Sequence, residues 1–367
     1  MGNNYRIWIH YQHCNLYFCF AESYFRNYTF KSIIWVLSIL RTNQLVANVI
    51  FVIYMLALKL PYMLHHECEI PSVNAGIFNV ALSGLLPANK YWVLVIQIVL
   101  VVAQATILNT LVNKFRMMRD ANLFPGFVWV IVVNLFPDYL CNTSLLFADL
   151  FILLSVRELF AVYKKNEVSG GIFNIGFYLA LSSFFYPGFL LFIIPVILGL
   201  QILRAPRFNE YVILFSGILS PIIIMSSLYY WNDELILLKS FQLDVFALNF
   251  TMKSINNGIY KMCFIVFLIL VCLIRYPKVI FKQSIQNIKY IEILYFFMLT
   301  GGVMTFFIPD RGIEQFLSII LPISILGGLI LFSIPQKWAE MIHLLLIFAV
   351  YFWQFAPSFK IWIWNLE

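Results

Sequence analysis

The sequence predicts an all-α fold, a polytopic bundle of transmembrane helices, on two observations. Hydrophobic residues make up 62% of the chain and charged residues 11%, with a mean hydropathy of +0.88. A water-soluble fold has too little interior to hide that much apolar surface. The basic residues also fall into alternate gaps between the apolar runs, seventeen of the 24 Lys and Arg on one side against seven on the other. Lys and Arg stay on the cytoplasmic side because carrying them across is costly, so the bias orients the chain. With roughly twenty residues per span, 367 residues hold about eleven helices joined by short loops. The expected organisation is an interfacial or extension segment at 1–43, one transmembrane domain at 44–357 and a short outer tail at 358–367. The amino terminus then lies in the cytoplasm and the carboxyl terminus outside.

The first span runs from about Gln44 to Leu64, entered from inside after Arg26, Lys31 and Arg41. Pro71 to Pro87 is too short and too mixed to span. Its Val73, Ile77, Val80, Ala81 and Leu85 recur at helical spacing, the pattern of an amphipathic helix lying on the outer interface. Further spans are expected at about Tyr91–Val112, Phe124–Phe136, Ser144–Tyr163, Gly171–Tyr186, Pro187–Leu203 and Tyr211–Tyr230, the last with Gly217 and Pro221 offering a kink. A long outer segment, Trp231 to Gly258, precedes Ile259–Ile274 and a basic inner loop of Arg275, Lys278, Lys282 and Lys289. Ile291–Ile308, with Gly301 and Gly302 for close helix contact, is followed by Glu314–Ser333 and Met341–Pro357.

A net charge of +7 in a soluble protein would suggest nucleic acid. Here cytoplasmic loops beside anionic lipid account for it, and no nucleic-acid partner is expected. Six cysteines show neither a CxxC pair nor metal-ligand spacing, although Cys68 and Cys141 both fall outside and a bridge between them is open. The first thirty residues lack the charge, apolar core and cleavage site of a signal peptide. No Gly-rich phosphate loop, GxSxG, HExxH or EF-hand pattern occurs, and no internal repeat is convincing.

The densest set of ionisable groups is His65, His66, Glu67, Cys68 and Glu69, where the first span meets the outer surface. Imidazole beside carboxylate suits either a divalent cation or general acid–base chemistry. The alternative is a solvated loop that simply ends a helix. Asp138, after Pro137, can approach the same surface or be an ordinary turn residue. Asp149 lies more than a turn below the outer interface, where a charge needs a partner or water. It is read equally as a proton site, a structural hydrogen bonder or the wall of a wet cavity. Arg311, between Asp310 and Glu314, can clamp a phosphate bidentately or pair locally with those acids.

Glu67 or Glu69 after the first span, the stretch Pro71 to Pro87 and Asp138 resemble, in topology and over the first half of the chain, the C-type membrane glycosyltransferases. That resemblance implies a polyprenyl-phosphate-linked sugar as donor and Glu67, Glu69 and Asp138 as catalytic acids. It leaves His65, His66, Asp149, Asp310 and Arg311 for binding. The stretches Arg116 to Gly126, Phe184 to Gly188 and Arg204 to Glu210 with Gly217 and Pro221 resemble an uncharacterised family of polytopic inner-membrane proteins from Bacteroidota. This second resemblance implies an inner-membrane location and no activity. Two other functions stay open: a transporter or flippase for a lipid-linked or small polar solute, using Asp149, Asn134 and Asn174 as a polar path, and a non-enzymatic subunit of an envelope assembly.

Overall fold

The computed structural model describes residues 49, 51–59, 76–78, 90–135, 143–233, 259–281, 283–307 and 318–355. All regular structure among them is helical. A stretch at 51–59 (α1) is followed by α2 (Lys90–Lys114), α3 (Phe124–Leu135), α4 (Thr143–Ala161) and α5 (Ser169–Phe185). A 3-10 turn at Pro187–Phe192 leads to α6 (Ile193–Leu203), α7 (Phe208–Trp231), α8 (Ile259–Ile280), α9 (Ile285–Phe307), α10 (Ile320–Ser333) and α11 (Gln336–Phe355).

Three helices, over Trp92–Lys114, Phe208–Trp231 and Cys263–Ile280, are long and apolar enough to cross a membrane. The arrangement of side chains fits a membrane protein as well. Large apolar residues cover the outside, among them Ile223 and Leu228 on α7, Phe267 and Ile274 on α8, and Leu345 and Phe348 on α11. Polar residues are turned inward, including Gln97, Gln104, Asn134, Ser155 and Gln354. Water would invert that distribution, because a buried amide must find a partner while an exposed Phe gains nothing.

The tight turns are where short-range chemistry decides the path. After α2, Arg116 takes a left-handed φ of 50°, and Met117 N–H reaches back to the Val112 carbonyl, so the helix closes on its own last carbonyls. Asn113 and Asn122 then exchange bonds at 3.2 Å, and the Asn122 side chain accepts from Phe124 N–H at 3.1 Å, capping α3. Asn109 accepts from Gly126 N–H at 2.7 Å, satisfying another free donor of the first turn. A side chain at Gly126 would strike Asn109 and the Ala105 carbonyl, so α3 lies directly on α2. Every residue of α3 is buried, between α2 and α10 with α11 also against it.

Glycine sets a second contact. Gly176 on α5 meets the Leu214 carbonyl of α7, and Gly217 on α7 meets the Phe173 carbonyl of α5. The two notches face each other, so Gly217 serves helix approach, where the sequence suggested a kink. Of the neighbours Gly301 and Gly302, only Gly301 is used in this way, against Ser318 and Ile319. The expected basic loop after the eighth span is also shorter than predicted. The helix continues past Pro277 to Ile280, so Arg275 and Lys278 are helical, and Lys289 lies on α9. The expected span from Pro187 opens instead with a 3-10 turn, since Pro187 cannot extend the preceding helix.

The loops converge on one basic end. Rings of Phe115, Phe160 and Tyr290 pack at centroid distances of 4.4 to 5.7 Å, joining the C-terminal ends of α2 and α4 to the start of α9. Tyr290 donates to the Phe160 carbonyl at 3.0 Å and Asn287 to the Arg116 carbonyl at 2.9 Å. Arg204 donates to the Lys165 carbonyl and pairs with Glu210 at 3.0 Å. Cations at helix C-termini also meet the negative end of the helix dipole. From the amphipathic stretch at Pro71 to Pro87, residues 76–78 are described: Gly76 N–H donates to the Phe185 carbonyl, and Phe78 packs on Phe184 and Phe185. That contact lies at the end of α5 opposite the basic loops.

Candidate functional site

Of the eight predicted site residues, the structure describes Asp149. Glu67, Glu69, Asp138, His65, His66, Asp310 and Arg311 lie outside the described residues, as do Cys68 and Cys141. Asp149 is 1% exposed on α4, inside the bundle rather than at its surface. The proposed polar path is corrected at one position: Asn174 is exposed on α5 and does not line the interior with Asp149 and Asn134. Polarity does not mark the buried face of α5, where Ser182 is buried and Asn174 is not.

The interior holds a charge that sequence reading missed. Lys59, in α1, is fully buried, and its Nζ donates to Gln97 Oε1 at 3.2 Å. Gln97 in turn donates through Nε2 to Thr143 Oγ1 at 3.1 Å. An ammonium, an amide and a hydroxyl thus form one chain from α1 through α2 to α4. Two turns along α2, Gln104 Nε2 donates to the Leu146 carbonyl of α4. Asp149 follows Leu146 by three residues, about one turn. The Gln97 and Gln104 contacts therefore run down the α2–α4 seam toward the level of the buried carboxyl.

Other contacts fix the height of this chain. Tyr351 of α11 donates to the Ala57 carbonyl, two residues before Lys59, and Gln354 donates to the Asn134 carbonyl at 2.9 Å. With a rise of about 1.5 Å per residue, Lys59, Gln354 and Asn134 fall near one level. That level is remote from the basic end, because α3 and α11 both start there and carry Asn134 and Gln354 in their last turns. Nearer the basic end, the Tyr54 hydroxyl and His343 Nε2 are 3.2 Å apart, with the His343 ring 5.0 Å from that of Phe127. Glu340, one turn before His343, is buried too, although the sequence placed it ahead of the last span. Pro335 starts α11 sooner than expected, through bonds from Trp338 and Ala339 N–H to its carbonyl.

Chemically, an ammonium in low dielectric attracts negative charge far more strongly than it would in water. Gln97 holds that of Lys59 in place, and Thr143 in turn holds Gln97. Among the described residues no three His, Cys, Asp or Glu gather as metal ligands. The expected divalent-cation position, at His65 to Glu69, lies outside them. Lys59 stands six residues before His65 in the sequence. Gln97, Gln104, Thr143 and His343 carried no sequence signal beyond being polar within apolar runs, a signal that gives no partner.

A family model described as a family of unknown function (DUF6427) matches residues 36–361. The match includes α1 to α11 and all eight predicted site residues. No curated protein and no solved structure matches the chain.

Proposed function

We propose, for a chain that belongs to DUF6427, a family of unknown function, that it is a multi-pass protein of the bacterial inner membrane handling a lipid-linked anionic substrate at its outer face. The basic end faces the cytoplasm, as retention of Lys and Arg requires. About eleven spans fit the chain at roughly twenty residues each, and the level of Lys59 lies in the outer half. The substrate that best suits this arrangement is a polyprenyl-phosphate-linked sugar, and the reaction is transfer of the sugar to an acceptor hydroxyl. The observation that carries the reading is the buried Lys59 ammonium, held by Gln97 and Thr143 and followed in sequence by Glu67 and Glu69.

In this reaction a carboxylate of Glu67, Glu69 or Asp138 takes the proton from the acceptor hydroxyl. The acceptor oxygen bonds to the anomeric carbon as the bond from that carbon to the donor phosphate breaks. The phosphate leaves with the electron pair, and Lys59 or Arg311 neutralises it. The test replaces Glu67, Glu69 and Asp138 singly by Ala and Lys59 by Met, then measures surface-glycan synthesis at matched protein level. Loss in Lys59→Met and in at least one acid variant supports sugar transfer. Full synthesis in all four variants removes its basis.

A second reading, transport of a lipid-linked or small polar solute, is favoured by one observation, the enclosure of Asp149 within the bundle. It predicts that Asp149→Asn is inactive while the outer acid variants keep full activity. Co-purification of stable partners with tolerance of every acid variant would point instead to an assembly subunit.

A further inference from the structure

Between α6 and α9 runs an open groove of about 440 Å³ lined by Leu198, Gln201, Ile202, Glu292 and Phe296. Gly199 lets Leu159 and Ile293 close on the α6 backbone beneath it. Lys289, Glu292 and Phe296 succeed one another at i, i+3 and i+7 along α9, which places them on one stripe. The stripe passes from cation to carboxylate to ring as it leaves the basic end. On α6, Gln201 lies one turn closer to that end than Leu198. The groove thus carries a carboxylate and an amide, Glu292 and Gln201, among the apolar side chains of Leu198, Ile202 and Phe296.

The two charges are not spent on each other. The Lys289 ammonium is turned to the Tyr163 ring, 5.5 Å from its centroid, and the Lys164 ammonium shares that ring at 5.4 Å. Gln201 donates to the Tyr211 hydroxyl at 3.1 Å, which leaves its amide oxygen as an acceptor. Glu292 in the groove, with Lys289 one helical turn before it and the Lys164 ammonium on the same Tyr163 ring as that of Lys289, matches a zwitterionic headgroup with an attached acyl chain. A primary ammonium fits the carboxylate better than a quaternary one, since only the former donates hydrogen bonds to it.

We propose that this groove is a binding site for an aminophospholipid of the cytoplasmic leaflet. Its phosphate lies by Lys289 and Lys164, its ammonium on Glu292, and an acyl chain along Leu198, Ile202 and Phe296. The proposal rests on the membrane reading above and not on sugar transfer.

The test is native mass spectrometry of the full chain in detergent, with phosphatidylethanolamine, phosphatidylcholine or phosphatidylglycerol added separately. Phosphatidylethanolamine is expected to be retained over the other two. Glu292→Gln and Lys289→Gln should each weaken its binding about tenfold, the effect of losing one charge-assisted hydrogen bond. Ser216→Ala, on the exposed face of α7, should leave binding unchanged. Thermal unfolding of each variant checks that it folds like the parent. Equal retention of the three lipids, or undiminished phosphatidylethanolamine binding in folded Glu292→Gln, overturns the site. Release of the chain from membranes by alkaline carbonate would instead overturn the membrane reading, so the two failures are distinguishable.

Discussion

Lys59 donates to Gln97 across 3.2 Å with both side chains sealed inside the bundle. A lysine near a span end usually reaches for the interface along its flexible stem. This one is instead held between helices.

Replacing Lys59 by Met should abolish function and also cost about 1–3 kcal/mol, because Gln97 Oε1 is left buried without its donor. Gln97→Leu removes the acceptor and leaves the ammonium short of a partner, which should destabilise by about 1–3 kcal/mol. Unfolding in detergent, read beside surface-glycan synthesis, separates the two effects.

The crossing of α5 and α7 should resist any side chain larger than hydrogen. Gly176→Val or Gly217→Val places methyl groups against a carbonyl of the facing helix. Overpacking of this kind costs about 1–3 kcal/mol. A lower unfolding midpoint in both variants, with Gly302→Ala unaffected because its Cβ would meet nothing, is the expected pattern.

At the basic end, Tyr290→Phe keeps the rings of Phe115 and Phe160 packed but loses two hydrogen bonds, the one its hydroxyl donates to the Phe160 carbonyl and the one it accepts from Gln286. A loss of about 1–3 kcal/mol is expected for the two. Tyr290→Ala, which also empties the ring's place, should lose about 3–5 kcal/mol. Chemical unfolding of the two variants side by side checks the ratio.

Asn109→Leu tests how α3 is seated. It leaves the Gly126 N–H without its acceptor in a buried first turn. The expected loss is about 1–3 kcal/mol, and hydrogen exchange at Gly126 and Phe127 should rise.

Much of the helical layout was legible because long apolar runs bounded by charges leave little choice. Tyr91–Val112 was expected and Lys90–Lys114 is found; Ser144–Tyr163 was expected and Thr143–Ala161 is found. Helix ends were harder. Lys278 and Glu340 look like loop residues in a one-dimensional reading, yet each lies within a helix, because capping by backbone carbonyls leaves no mark in hydropathy. The interior site was largely hidden. Asp149 stood out as a charge in a span, whereas Lys59, inside the expected first span, was passed over. Gln97 and Thr143 gain meaning only from each other, across 46 positions of sequence. Asn174 misled for the converse reason, since in α5 polar residues lie on both sides, Ser182 buried and Asn174 exposed, and no period marks the buried side.

The most direct measurement is labelling of single cysteines by a membrane-impermeant maleimide in intact cells, in a variant with the six native cysteines replaced. One cysteine is placed at Glu67 and another at Lys165. The account predicts reaction at position 67 from outside, with position 165 reacting after the membrane is opened. Reaction at 165 in intact cells with 67 protected would reverse the orientation, and the buried ammonium would then lie toward the cytoplasm, away from any outer-face donor.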